Sequence, residues 1–205
     1  MTKYHFATFK KRLNRFVSIV TFKNKDINVY TPNTGRLSEL AIPGTKAIIT
    51  PSNGKYTYKL LYLYYNNFPV MIDSTFSNKL FTDLLLENKF KDIQSLSLIR
   101  REPAYKNHRF DYLVMDKNKK EHFIELKSCT LAYKSVASFP DAVSKRASSH
   151  IKALAESKQG ILIFFILHQN CKTFVPNYHT DFTFYETLKE NNKKIKTMAF
   201  SVQYD

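Results

Sequence analysis

Residues 109–128 read RFDYLVMDKNKKEHFIELKS, in which two stretches rich in hydrophobic residues flank a polar turn at 116–119. This pattern predicts a β-hairpin with strands at 109–115 and 121–128. If Asn118 lies at the centre of the turn, paired residues have numbers that sum to 236, as 111 and 125 do. We therefore expect Asp111 and Glu125 to face each other, where two like charges are destabilising unless a cation neutralises them.

The carboxylates of this hairpin predict a metal site. Alternation along the second strand places Lys127 on the same face as Glu125. Carboxylate and water oxygens suit Mg²⁺ or Mn²⁺, and such an ion can polarise a phosphoryl oxygen and generate hydroxide. Glu102 is a candidate third carboxylate, and Lys127 could orient or deprotonate the water or stabilise charge in the transition state. These residues suggest phosphodiester hydrolysis, and the alternative is a surface hairpin whose charges have no catalytic role.

The segments around the hairpin predict an α/β arrangement. A strand is expected at 95–101 before it, and a helix after it, with Asp141 or Ser138 as the N-cap and Pro140 near the first turn. The hydrophobic stripe of this helix consists of Val143, Ala147, Ile151, Leu154 and Ala155, and the helix ends by Gly160. The continuous hydrophobic run that follows, in a strand at 160–168, predicts a central strand buried on both faces and reached by a right-handed crossover.

The first third of the chain has a different pattern. Short β-rich stretches at 15–22, 27–30, 46–50, 56–66 and 70–73 are separated by turns rich in Pro, Gly and Asn. This pattern is typical of a small β-barrel. A helical pattern begins at Ser77, so we expect a domain boundary near residue 75, with one domain at 1–75 and a second at 76–205.

The composition restricts the partners and the cellular location. The 205 residues include 32 Lys and Arg against 17 Asp and Glu, and the net charge of +15 favours a polyanion, with nucleic acid the first candidate and an anionic membrane surface the second. Cys129 and Cys171 are too few to staple a chain of this size and lack the paired spacing of a zinc site, which predicts a reducing, cytoplasmic location. The start of the chain has no uninterrupted hydrophobic export segment. The longest hydrophobic run, at 161–167, is too short to span a bilayer, so we expect a soluble protein whose partner is nucleic acid and not a membrane.

Several motifs together resemble a known family. The order of strands and helix is similar to the core of the PD-(D/E)xK nuclease superfamily. The finer resemblance is to the sugar fermentation stimulation protein family, in motifs that run in the family's order from about residue 15 to residue 167. They are Asn33-Thr34-Gly35-Arg36-Leu37 with Pro43-Gly44, Arg109-Phe110-Asp111, Glu125-Leu126-Lys127-Ser128, and Phe139-Pro140-Asp141-Ala142-Val143 with Arg146 and His150.

The resemblance implies a fold and an activity. It implies an N-terminal OB-fold nucleic-acid-binding barrel followed by a PD-(D/E)xK, restriction-endonuclease-like domain with a mixed sheet, which binds DNA and carries a proposed nuclease site. The residues that match the family's active-site acids and lysine are Glu102, Asp111, Glu125 and Lys127, and those that match its following helix motif are Asp141, Arg146 and His150. The chain departs from the family's Gly-x-Lys-His in having Ala147-Ser148-Ser149-His150, which puts one phosphate contact in doubt.

Basic residues predict the nucleic-acid contacts. Arg146 and His150 are four residues apart and share a helix face, from which both could reach a phosphate. The alternatives are an ion pair of Arg146 with Asp141 or Glu125, and a surface or interface position for His150. In the barrel, Arg12, Arg15 and Arg36 could follow a phosphate backbone.

Alternating tyrosines in the barrel have two interpretations. Residues 56, 58, 60, 62 and 64, four Tyr and one Leu, would share one face of a strand. That face could stack unpaired bases, although it is more often simply a barrel core.

Two further alternatives stay open at the level of the whole protein. The first is a DNA-binding regulator of sugar metabolism genes whose nuclease-like fold no longer catalyses a reaction. The second is RNA as the substrate in place of DNA, since a barrel and a basic surface do not distinguish the two sugars. A homo-oligomer is compatible with the sequence, but no feature predicts one.

Overall fold

A computed structural model describes residues 3–93, 95–157, 159–169 and 171–203. The N-terminal part is a β-barrel with one additional strand. Its strands are β1 (His5–Asn14), β2 (Val17–Phe22), β3 (Lys25–Tyr30), β4 (Lys46–Pro51), β5 (Tyr58–Tyr65) and β6 (Phe68–Met71). The order β3-β2-β1-β4-β5-β6 is closed by a parallel contact between Tyr30 of β3 and Lys59 of β5, which makes β1–β5 a five-stranded, OB-like barrel.

The barrel confirms the predicted strands and adds one. β1 was missed because its second half is basic and irregular, with register shifts between Phe9 and Lys11 and between Arg12 and Asn14. Helix α1 (Ser74–Leu86) follows the barrel and starts three residues before the predicted Ser77. Asp73 is the N-cap of this helix because its side chain accepts a hydrogen bond from the backbone NH of Phe76. The same carboxylate also accepts a hydrogen bond from Lys59 Nζ of the barrel at 2.6 Å.

The C-terminal part is built on a five-stranded mixed sheet. After a short 3₁₀ helix (Lys91–Ile93), the elements are β7 (Ser97–Arg101), β8 (Ala104–Tyr105), β9 (His108–Arg109), β10 (Tyr112–Met115), β11 (Glu121–Cys129), β12 (Leu131–Tyr133), β13 (Val136–Phe139), α2 (Lys145–Glu156), β14 (Gly160–Ile166), β15 (Thr173–Pro176), α3 (Phe182–Asn191) and β16 (Lys196–Ser201). The main sheet has the order β16-β14-β11-β10-β7. A smaller sheet, β12-β13-β15, and the pair β8-β9 lie beside it.

The hairpin register agrees with the prediction. Tyr112 pairs with Ile124 and Met115 pairs with Glu121, so both pairs sum to 236. β14 runs parallel to β11, and all seven of its residues are buried, as predicted for a central strand. The predicted fold class is therefore confirmed, an OB-like barrel followed by a restriction-endonuclease-like mixed-sheet domain.

The start of the crossover helix was predicted wrongly. α2 begins at Lys145, and its N-cap is Ser144, whose side chain accepts a hydrogen bond from the backbone of Ala147. Ser138 is instead part of β13, and Asp141 lies in the connecting loop. Val143, expected in the hydrophobic stripe, precedes the helix and is 69% exposed. The smaller sheet, α3 and β16 were not predicted.

The barrel and the main sheet pack on a shared hydrophobic core. One cluster of buried side chains joins barrel residues such as Val20 and Leu60 to Tyr112, Ile124 and Phe165 on one face of the sheet. A second cluster lies between the opposite face and helices α2 and α3. The division into domains at residue 75 stays a prediction. None of the helices in the described part of the chain is long and hydrophobic enough to cross a membrane.

Candidate metal and nucleic-acid site

Most of the predicted site residues line a cleft of about 670 Å³, which we call the central cleft. It lies between the barrel loop at 33–35, the adjoining ends of β10 and β11, and the segment at 139–146 that leads into α2. Its lining includes six of the predicted site residues, Arg15, Asp111, Glu125, Lys127, Asp141 and Arg146. The remaining four, Arg12, Arg36, Glu102 and His150, lie outside that lining.

Asp111 sits directly before β10, where the hairpin fixes its position. Its backbone NH donates to the carbonyl of Ile124 at 3.1 Å, and its Oδ2 accepts a hydrogen bond from the backbone NH of Leu126 at 2.7 Å. Burial, followed by the nearby charge of Glu125, raises the pKa of Asp111 to about 6. A carboxyl group with an elevated pKa beside a second carboxylate in a cleft is typical of a functional site.

Glu125 lies in the middle of β11 and is only 4% exposed. Its Oε1 lies 2.5 Å from Lys127 Nζ and 2.7 Å from His150 Nδ1, whereas its Oε2 is buried and has no hydrogen-bond partner. Burial alone would raise the pKa of this carboxyl. The charge of Lys127 and the hydrogen bonds from His150 and Lys127 outweigh the burial, so the pKa lies below its ordinary value.

The two carboxylates fit a hard divalent cation. An unpartnered buried oxygen is costly, and a cation bound to Oε2 and to Asp111 would supply the missing partner. The same cation would offset the repulsion between the two acids. Among the described residues, only these two acidic side chains would bind the cation. Within the described ranges, no cluster of three His, Cys, Asp or Glu side chains is arranged to hold a metal.

Glu102 does not join the other two acids. Its backbone NH donates to the carbonyl of Asp111 at 2.9 Å, so the main chain is adjacent as expected. However, φ is +50° at Glu102, and this left-handed conformation breaks the strand. The exposed side chain extends to Arg109, with 3.5 Å between Oε2 and Arg109 Nη1.

Arg146 and His150 share a face of α2 as predicted, but they contact each other. Arg146 Nε donates a hydrogen bond to His150 Nε2 at 3.3 Å. Within the described residues, Arg146 forms this bond in place of the ion pair with Asp141 or Glu125 that the sequence left open. His150 is buried, at 6% exposed, against Glu125. Arg146 is exposed in the central cleft and can reach a bound phosphate, whereas His150 is screened from one.

The three barrel arginines have different environments. The guanidinium of Arg12 donates to five backbone carbonyls, those of Asn14, Arg15, Asn33, Gly35 and Arg36. This side chain therefore holds the loop at 33–36 in place, which differs from the backbone contact expected from the sequence. Arg15 is exposed in the central cleft, and Arg36 is exposed outside the cleft lining.

Asp141 also fastens this barrel loop. Its Oδ2 accepts a hydrogen bond from the backbone NH of Leu37 at 3.2 Å. A Cβ atom added at Gly35 would lie 2.5 Å from the same oxygen, so the close contact requires glycine. Asp141 thus joins the segment before α2 to the barrel.

Sequence reasoning missed two residues of this region. Lys145 and Ser144, at the start of α2, line the central cleft beside Arg146. The Ser-Lys-Arg order at 144–146 carried a usable signal, since Ser is a preferred N-cap residue.

The Tyr face predicted for β5 does not form. The irregular register between β4 and β5 buries Leu60 and Leu63 in the core and separates Tyr58 from Tyr64.

The barrel, the mixed sheet and the acidic pair with its lysine define a protein with a restriction-endonuclease-like fold. Two family models cover the chain, "SfsA N-terminal OB domain" over residues 11–72 and "Sugar fermentation stimulation protein RE domain" over residues 75–205. The chain belongs to the sugar fermentation stimulation protein (SfsA) family.

Individual relatives agree along nearly the whole chain. A "Sugar fermentation stimulation protein homolog" from Clostridium novyi is 36% identical over 196 residues, 92% of this chain and 85% of that protein. A homolog from Natranaerobius thermophilus is 33% identical, over 95% of this chain and 86% of its own length. Among solved structures, "Pyrococcus Furiosus SfsA in complex with Ca2+" matches with a TM-score of 0.91 and 30% identity, over 97% of this chain and 88% of that one.

Proposed function

We propose that this protein is a DNA-binding nuclease that hydrolyses phosphodiester bonds with a bound Mg²⁺ or Mn²⁺. The observation that carries the proposal is the buried Oε2 of Glu125, which has no partner and lies beside a second carboxylate, that of Asp111, in the central cleft. The structure of the Pyrococcus furiosus relative with Ca²⁺ supports it, because Ca²⁺ and Mg²⁺ both prefer oxygen ligands.

Each side chain has a role in this proposal. Asp111 and Glu125 would hold the cation, which when bound supplies Lewis-acid activation of a phosphoryl oxygen and of water. Lys127, whose Nζ contacts Glu125 Oε1, would orient the attacking water or stabilise charge in the transition state as an ammonium, or would deprotonate the water as a neutral amine. Glu102 would serve as an accessory acid only if its side chain turned from Arg109 toward the cleft.

The basic residues of the central cleft support nucleic-acid binding. Arg15, Lys145 and Arg146 are exposed at its walls, and the net charge of +15 favours a polyanion. The proposed partner is DNA, with RNA as the alternative substrate and no membrane. The cytoplasmic location remains a prediction, and it is consistent with the free, buried state of Cys129 and Cys171.

A second candidate function is that of a non-catalytic DNA-binding regulator. Two observations favour it: the carboxylate of Glu102 is turned away from the acidic pair, and an exposed Ser149 stands where the family pattern has Lys. The intact Asp111, Glu125 and Lys127 favour the nuclease.

The test is cleavage of labelled single-stranded DNA, double-stranded DNA and RNA with Mg²⁺, Mn²⁺ or EDTA. The variants are Glu125→Gln and Lys127→Ala, and the matched control is Glu121→Ala, an exposed acid at the far end of the same strand. We expect metal-dependent cutting by the wild type and the control and a loss of at least about 100-fold in both site variants. If the wild type binds DNA but cuts no substrate with either metal, the regulatory function replaces the nuclease.

A further inference from the structure

A hydrogen-bonded chain runs from the central cleft to the buried carboxylate of Glu125. It begins at Arg146, passes through the imidazole of His150, and ends at Glu125 Oε1, with separations of 3.3 Å and 2.7 Å. Arg146 and His150 are one helical turn apart on α2, so a single element positions both.

The direction of these hydrogen bonds follows from the chemistry of arginine. A guanidinium can only donate, so His150 Nε2 must accept from Arg146 Nε. A neutral imidazole that accepts at Nε2 carries its proton at Nδ1. His150 therefore donates from Nδ1 to Oε1 of Glu125.

The orientation of the His150 ring is fixed by its surroundings. The side chain is 7% exposed, and the rings of His108 and Phe110 meet it nearly edge to face, at centroid distances of 5.4 and 6.1 Å. A ring packed in this way holds its donor toward one carboxylate oxygen.

The consequence concerns which oxygen of Glu125 is available. Oε1 already accepts from Lys127 and His150, and Oε2 has no partner. We propose that His150 is a positioning residue that occupies Oε1, directs Oε2 of Glu125 toward the divalent cation, and couples this carboxylate to Arg146 at the cleft wall. This inference rests on the proposed function, because it assumes that Glu125 is a metal ligand. Mutation of a residue that hydrogen-bonds to a metal ligand typically lowers metal affinity or activity 10–100-fold.

The first test uses three substitutions that separate the donor at Nδ1 from the bulk of the ring. His150→Asn places an amide NH₂ near the position of Nδ1, whereas His150→Gln extends its amide to the region of Nε2, and His150→Leu removes both groups. The measurement is the dissociation constant for Mn²⁺ by isothermal titration calorimetry, at a temperature where unfolding curves show every variant folded.

We expect Gln and Leu at position 150 to weaken Mn²⁺ binding by about 10–100-fold and Asn to restore it to within about 3-fold of the wild type. If Asn weakens binding as much as Leu does, the effect comes from packing and the positioning role is wrong. If all three variants bind Mn²⁺ as the wild type does, only the role of His150 is overturned. If the wild type itself binds no Mn²⁺, the proposed function fails and the positioning role fails with it.

A second measurement tests the hydrogen bond without metal or activity. Long-range ¹H–¹⁵N correlation spectra of the metal-free protein should show a proton on Nδ1 of His150. A proton on Nε2 would contradict the direction of the chain from Arg146 to Glu125, and with it the proposal.

Discussion

At the scale of single residues, Arg12 shows how a basic side chain can serve the fold instead of a ligand. Its five donors all point to backbone carbonyls between residues 14 and 36. Sequence patterns could not reveal this, because an arginine that binds phosphate and an arginine that binds carbonyls look identical in a basic segment. The difference arises from the loop that folds around the guanidinium.

The substitution Arg12→Lys tests this structural role. A lysine ammonium has three donors and lacks the planar geometry, so several carbonyls lose a charged partner. We expect the free energy of unfolding to fall by about 1–3 kcal/mol in urea denaturation. Arg36→Lys, at an exposed neighbouring position, should change it by less than about 0.5 kcal/mol. Equal stability of both variants would mean that Arg12 does not hold the loop.

Glu39 makes stability depend on pH. Its Oε1 is buried without a partner, and burial together with the charge of Asp141 raises the pKa of this carboxyl to about 7, from an ordinary value of 4.5. The folded state thus binds the proton more tightly than the unfolded state does. The contribution of Glu39 to stability is therefore largest below pH 4.5 and is lost as the pH rises to 7.

We expect Glu39→Gln to be more stable than the wild type at pH 8, by on the order of 1–2 kcal/mol once the partial exposure of Glu39 is considered. The two proteins should differ little at pH 4.5. Thermal unfolding of both across this pH range measures the difference directly. A stability difference that stays constant with pH would contradict the elevated pKa.

At the scale of secondary-structure elements, α2 and β14 are packed so closely that a methyl group does not fit between them. A Cβ atom at Gly160, the first residue of β14, would lie 2.3 Å from Leu154 Cγ and 2.6 Å from the backbone oxygen of Leu154. Because the nearest backbone atom cannot rotate away, we expect Gly160→Ala to lower the free energy of unfolding by about 3 kcal/mol.

The control for this substitution is Gly54→Ala. Gly54 is exposed in the loop before β5, and the nearest atom to an added Cβ is Ser52 Oγ at 3.7 Å, an ordinary contact. Chemical denaturation should show a change below about 0.5 kcal/mol for Gly54→Ala. If Gly160→Ala were equally neutral, α2 would have room to move away from β14.

The elements also show which parts of the fold are encoded locally. The hairpin register follows from the position of the polar turn and the buried strand β14 from an uninterrupted hydrophobic run, so the sequence alone predicts them. The sequence alone does not predict the start of α2, since Asp141 and Ser144 are both good N-cap residues. The choice between them depends on the hydrogen bond from Leu37 to Asp141, a contact across 104 residues.

At the scale of the whole molecule, the candidate site could be predicted only in part. Asp111, Glu125 and Lys127 come together within one hairpin, so spacing alone is sufficient to place them. The walls of the central cleft come from the barrel loop and from the segment before α2, which meet only in the folded chain. For the same reason, the sequence could not predict that Arg15 lines the cleft and that Arg36 does not.

The cleft walls lead to a prediction about the salt dependence of DNA binding. Each phosphate neutralised by Lys or Arg releases counterions, so the logarithm of the association constant falls linearly with the logarithm of salt concentration, with a slope of about −0.9 per contact on double-stranded DNA. Arg15 and Lys145 are exposed on opposite walls of the central cleft, one from the barrel and one from α2. If DNA lies in this cleft, both walls contact its backbone.

We expect Arg15→Ala and Lys145→Ala each to reduce the magnitude of the salt slope by about 1 in fluorescence anisotropy with labelled DNA, and the double variant to reduce it by about 2. Lys117→Ala is the matched control, because Lys117 is an exposed cation in the turn at the other end of the β10–β11 hairpin. It removes the same unit of net charge without affecting the cleft. If all three single variants reduced the slope equally, the net charge and not the central cleft would determine binding, and DNA would have to lie elsewhere on the protein.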